Sequence, residues 1–150
     1  MVQPLYQVDP LRKQLTDDRL INLLKALEYL RLEVAPKMDH IPLQVVSAFL
    51  YVATHNECHK QQIEQVFGLS VAAGSRCTDF LCEQNRLGKP GLGLITKEVD
   101  PTNRRRQVLR LTAKGSKAYD RIASILNEKP TDYVGGRFGV HPQKPKDVES

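Results

Sequence analysis

The sequence predicts a mainly α-helical fold carrying one small β-hairpin toward its C-terminal third. Three observations predict it. Apolar residues recur at helical spacing through roughly the first half of the chain. Apolar–polar alternation is confined to two short runs, "LITKEVD" and "RQVLRLT", with a turn sequence between them. Positive charge gathers around that pair. Arg86 to Lys117 holds nine basic and two acidic residues, a local charge of +7 in a chain whose total is +5.

A chain of 150 residues with 41% hydrophobic content suits one domain with one core. No apolar run is long enough for a membrane helix. The opening "MVQPLYQVDP" lacks a basic stretch followed by an apolar core, so no secretory signal and a cytoplasmic location are expected. Cys58, Cys77 and Cys82 are odd in number and lack metal or redox spacing, so no disulfide framework is expected. "HNECH" offers His55, Cys58 and His59 but no clear fourth ligand. A buried cysteine beside surface histidines is the better reading, and no metal or cofactor is expected.

The first helix is expected over Asp17 to Val34, capped by Thr16 or Asp17. Leu20, Leu24, Leu27 and Val34 mark one face, and Ile21, Leu23 and Leu30 widen it. So wide a stripe fits either a central core helix or a helix buried against a second subunit. After the connector "APKMDHIP", Pro42 opens a second helix, "PLQVVSAFLYVATH". Its Val45, Val46, Phe49, Leu50 and Val52 are mostly core. A third helix, from about His59 to Phe67, turns Ile63, Val66 and Phe67 inward and ends at a left-handed Gly68. Ser70 caps a fourth, "SVAAGSRCTDFLCEQ", with Gly74, Cys77, Thr78 and Leu81 buried; Ala72, Ala73, Ser75, Arg76 and Asp79 lie mainly elsewhere. Two short helices across "FGLS" make a helix-turn-helix candidate.

"NRLGKPGLG" is a loop. The first strand follows, then the turn "DPTN", where Pro101 suits the second turn position and Asn103 tolerates unusual backbone angles. The returning strand should place Val108 and Arg110 on one face and Leu109 and Leu111 on the other, with Arg104, Arg105 and Arg106 at or near the hairpin tip. Thr112 caps a last helix with Ala118, Ile122, Ile125 and Leu126 inward.

A hairpin directly after a helix-turn-helix is a winged helix. In such a unit the second helix enters the major groove of DNA and the hairpin lies over the flanking backbone, where an arginine can enter the minor groove. The residues expected at DNA are therefore Ser70, Ala72, Ala73, Ser75 and Arg76 on the recognition helix, and Lys60 and Gln61 on the helix before it. Arg104, Arg105 and Arg106 complete the set on the wing. Ser70 would set the helix N-terminus near a phosphate. Ala72 and Ala73 offer only apolar contact to a thymine methyl, so much of the specificity is expected from the wing and groove shape. Arg110 and Lys114 add long-range attraction.

From about Leu43 to Leu126 the chain resembles the MarR family of winged-helix transcriptional regulators. "QQIEQVFGLS" looks like the family's first helix and turn. "SVAAGSRCTDFL" is similar to its recognition helix, with Ser70, Arg76 and Leu81 in register. "GLITKEVDPTNRRRQVLRLTAKG" resembles its wing without a gap. The resemblance implies that Arg105 is the minor-groove arginine, with Arg104 beside it. Asn103 stands where the family commonly has an aspartate that orients this arginine. Glu64 replaces a usually small residue. "NRLGKPGLGL" inserts about eight residues before the wing strand, as in a variant associated with phages and mobile elements. The family dimerises through terminal helices, and only one is readable at the C-terminal end here. The implied organisation is an N-terminal arm over 1–16, a winged-helix domain with flanking dimerisation helices over 17–128, and an irregular tail over 129–150. A homodimer would form through Leu20, Leu24, Leu27 and the last helix.

The function expected is a sequence-specific regulator of double-stranded DNA. The alternative is a winged-helix protein-interaction module acting on polymerase, a replication factor or another regulator. An enzyme is not expected, since no phosphate loop, nucleophile elbow or paired metal-binding histidine motif occurs. A small-molecule effector is compatible with the resemblance, but no residue supports one.

Overall fold

Most element boundaries follow from local rules in this computed structural model, which describes residues 18–55 and 57–128. The arm over 1–16, the tail over 129–150 and the Thr16 or Asp17 cap lie outside the described residues. Two compact units contain the rest: residues 18–37 with 121–128, and residues 38–120.

In the first unit, helix α1 (Asp18–Tyr29) passes into a π-helical turn, Leu30–Val34, where the Ala35 amide donates to the Leu30 carbonyl at 3.0 Å. Asn22, Lys25, Ala26, Tyr29 and Leu30 are its buried residues, while Leu20, Leu23, Leu24 and Leu27 are 38–59% exposed. These four leucines are therefore at the surface, while Leu30 and Val34, expected on the same wide stripe, are buried. The Asn22 side-chain amide donates to the carbonyls of Leu126 and Glu128, at 3.3 and 2.9 Å, holding the C-terminal end of the last helix.

The second unit begins with α2 (Leu43–Thr54), and Pro42 stands just outside it with ψ 135° instead of inside its first turn. Val45, Ala48, Phe49 and Val52 are buried, whereas Val46 is half-buried and Leu50 lies at the rim. Helix α3 (Lys60–Phe67) ends at Gly68, which takes φ 62° as expected. Ile63 is fully buried and Phe67 meets Tyr51 edge to face, but Val66, expected inward, is 54% exposed. Helix α4 (Val71–Leu81) packs on α2 and α3. It stops three residues short of the span its sequence suggests, because the Cys82 backbone turns extended.

The hairpin is present, with one strand more than expected. Strands β1 (Cys58–His59), β2 (Ile95–Asp100) and β3 (Asn103–Leu111) form an antiparallel sheet in the order β1-β3-β2. The register of β3 is regular from Gln107 to Leu111, so its side chains alternate between faces; Leu109 and Val108 are both buried, Val108 between the neighbouring strand residues His59 and Glu98. Thr112 caps α5 (Ala113–Asn127), its hydroxyl accepting from the Gly115 amide at 3.0 Å. Phe49, Ile63, Leu81, Ile95 and Leu109 form the centre of this unit, each side chain contributing about 1.5–3 kcal/mol by burial.

Candidate nucleic-acid interface

Helix α4 is set by one cap and one tight contact. The Ser70 hydroxyl accepts from the Ala73 amide at 3.1 Å, which fixes the first turn. Gly74 faces α3 so closely that a Cβ there would stand 2.5 Å from the Glu64 Cγ. Glu64 is thus accommodated by the absence of a side chain at Gly74. Its carboxylate is held by the Lys60 ammonium one turn earlier, and both side chains are largely buried. This takes Lys60 off the surface: it holds the Glu64 side chain that lies against Gly74 of α4, contrary to its expected place at a phosphate. Gln61 stays exposed.

Gly74, Cys77, Thr78 and Leu81 are buried as expected. Asp79 is buried too, against expectation. Its carboxylate is held by the Lys97 ammonium, which reaches across from β2 and also donates to the Thr78 hydroxyl at 3.0 Å. Helix α4 and strand β2 are therefore cross-linked by an ion pair. The outward face of α4 carries Val71, Ala72 and Arg76, exposed, with Ala73 and Ser75 half-buried. Val71, 69% exposed at the first helical position, was not singled out from sequence. Its place directly after the capping serine is the signal that could have found it.

The wing turn is organised by Asp100. One carboxylate oxygen accepts from the Thr102 amide and hydroxyl at 2.8 and 2.7 Å; the other accepts from His59 Nε2 at 3.1 Å. A carboxylate only accepts, so Nε2 carries the proton. The Thr102 hydrogen bonds, with His59 adding to them, lower the Asp100 carboxyl from 3.8 to about 2. His59 thereby ties the start of α3 to the wing turn, a link not foreseen in "HNECH".

The register places the arginines. Val99 pairs with Gln107, yet the next residue, Asp100, pairs with Asn103. Arg104, Arg105 and Arg106 are the excess residues of β3, an extended bulge directly beside the turn, near the hairpin tip as expected. In a regular strand three successive side chains would alternate between faces; here all three are exposed. Asn103 contributes through its side-chain oxygen, which accepts from the Arg105 amide at 3.1 Å. It therefore braces the backbone of Arg105, where the family's aspartate is expected to orient the guanidinium. Among the described residues, no hydrogen bond or ion pair engages the guanidinium groups of Arg76, Arg104, Arg105 or Arg106. Arg110 differs: Glu57 and Glu98 bind it at 3.2 and 3.0 Å, which offsets the long-range attraction expected of it. Lys114 donates to the Leu92 carbonyl at 2.7 Å.

Burial pushes the thiols of Cys58, Cys77 and Cys82 up from their ordinary value, with Lys97 partly opposing this at Cys82. That suppresses the reactive thiolate at all three positions.

No family model and no curated protein sequence matches the chain. Solved structures do. RV1404 from Mycobacterium tuberculosis is 19% identical over 77% of this chain and 70% of its own, with a TM-score of 0.53. The transcriptional regulator Tm0710 from Thermotoga maritima is 16% identical over 78% and 72%, at 0.50. Overoxidized AbfR, solved bound to DNA, is 17% identical over 77% and 78%, at 0.50. At these identities the likeness is one of fold. With five helices and a three-stranded antiparallel sheet among the described residues, the chain has the winged helix-turn-helix fold of these proteins.

Proposed function

We propose that this protein is a sequence-specific regulator of transcription that binds double-stranded DNA, of the MarR type its sequence resembles. The observation that carries the reading is the bulge in β3. It raises three arginines into solvent with no carboxylate among the described residues to neutralise them, on a hairpin that Lys97 joins to α4. Unpaired, weakly hydrated guanidinium groups on a braced backbone suit a narrow, electronegative groove. That a protein of this fold has been solved on DNA is consistent with it.

In this reading α4 lies in the major groove. Val71, Ala72 and Ala73 meet thymine methyl groups, Arg76 and Ser75 meet base edges or the adjoining phosphates, and Ser70 keeps the helix N-terminus near a phosphate. Gln61 touches the backbone. Arg105 enters the minor groove, with Arg104 and Arg106 on its phosphates. The exposed leucines of α1, with Leu126 of α5 at 45% exposure, supply the apolar face of a homodimer. Its two recognition helices would read half-sites about one helical turn apart. Such a protein works in the cytoplasm.

Selection of bound duplexes from a random-sequence pool tests the reading. Enrichment of an inverted repeat is expected, since a two-fold dimer reads a two-fold site. A pool that stays random after repeated selection contradicts sequence-specific binding.

A further inference from the structure

The loop between α4 and β2, residues 82–93, is held as firmly as the elements it joins. Amides of Gly91, Leu92, Gly93 and Leu94 donate to the carbonyls of Glu83, Phe80, Cys82 and Leu81 at 2.8–3.1 Å. Several of those carbonyls end α4 and have no partner inside the helix. The approach is close enough that a Cβ on Gly91 would stand 2.0 Å from the Cys82 oxygen, so only glycine fits. At the tip, the Asn85 side-chain oxygen accepts from the amides of Leu87 and Lys89 at 2.8 and 2.9 Å, and the Asn85 amide donates to the Lys89 carbonyl at 2.9 Å.

Arg86, Leu87 and Lys89 project from this braced tip. The Arg86 side chain is 78% exposed, with one long contact of 3.6 Å to Asp79, a carboxylate already held by Lys97. Leu87 is 81% exposed and Lys89 is exposed. The tip is also on the right side of the helix. Arg86 and Leu87 share a cleft of about 400 Å³ with Arg76, Asp79 and Phe80 of α4, so they lie beside the outward-facing Arg76. A tip already ordered loses little conformational entropy on contact, which favours binding by a few exposed cations.

We propose that this loop is a second phosphate-binding element, in which Arg86 and Lys89 grip the backbone of the same duplex that α4 enters. The inference rests on the DNA-binding reading above and extends it: the protein holds DNA from the wing and also from the loop that follows the recognition helix. Leu87 lies against the sugar edge between the two phosphate contacts. Because the contacts are to backbone, they add affinity without changing the preferred sequence.

The test is a salt titration of binding to a labelled duplex of mixed sequence, comparing the full-length protein with Arg86→Ala, Lys89→Ala and the double variant. Thermal melting establishes that each variant is folded, as expected for exposed tip residues. Each lost phosphate contact should make the slope of log affinity against log salt shallower by about 0.9, and the double variant by about twice that. The base preferences found by pool selection should stay as in the parent. A double variant with the parent's slope and affinity overturns the loop contact while leaving the regulator reading intact. Altered base preferences at an unchanged slope also overturn it, since the loop would then be reading bases. A parent that shows no salt-dependent binding overturns the regulator reading and the loop contact together.

Discussion

Asp100 braces the hairpin turn and Glu64 holds a buried ammonium, and both can be tested as single residues. Asp100 has its carboxyl lowered to about 2 by the Thr102 hydrogen bonds and His59. A depressed carboxyl stabilises the fold above its ordinary value of 3.8 and loses that contribution as pH falls through about 2. The Thr102 amide should therefore keep its native NMR shift down to about pH 3 and move only near 2. A shift centred near the ordinary value of 3.8 would contradict the bonded turn. Glu64→Ala leaves the Lys60 ammonium buried without a partner and should cost about 3–5 kcal/mol in chemical denaturation. A loss under 1 kcal/mol would mean that Lys60 reaches solvent after all and returns to the surface facing DNA. The spacing for this pair was present in the sequence, since Lys60 and Glu64 are four apart on one helix. What the sequence lacked was any sign that the pair would be covered, and that depends on Gly74 of another helix.

Between elements, the close approach of α3 to α4 decides the helix-turn-helix angle. Gly74→Ala recovers about 1 kcal/mol of helix propensity, but crowding against a pinned Glu64 costs about 1–3 kcal/mol. Crowding should win, and the variant should melt below the parent; a variant that melts higher would show the gap is not needed. The helices, the left-handed Gly68, the Ser70 cap and the hairpin strands were legible because each carries a local signature: periodicity, a cap, or alternation around a turn. The two-residue strand β1 was not, because Cys58 and His59 are too few to display a period and pair with a strand some fifty positions away. The bulge was hidden for a related reason. Three identical residues carry no alternation, so nothing in "RRR" distinguishes a hairpin tip from excess residues in one strand. Val66 was misplaced because an apolar residue at helical spacing reads as core even when its face meets no neighbour.

For the whole molecule, the proposed dimer and the proposed DNA contact can be tested separately. In the second unit Arg76, Arg104, Arg105, Arg106 and Lys89 are exposed, and in the first unit Leu20, Leu23, Leu24 and Leu27 of α1 are exposed. A dimer through α1 would bury the leucines and leave two basic surfaces for one duplex. Replacing Leu24 and Leu27 with Glu should shift the protein toward monomer in sedimentation and weaken binding to an inverted repeat far more than to a single half-site. Equal weakening on both would argue against a dimer on DNA. The central claim, that the arginine bulge reads a groove, is tested most directly by comparing the parent with Arg105→Ala on the selected duplex at physiological salt. The expected result is a loss of about 1–3 kcal/mol with relaxed preference at the bases beside the wing. An Arg105→Ala protein that binds that duplex as tightly as the parent would contradict it.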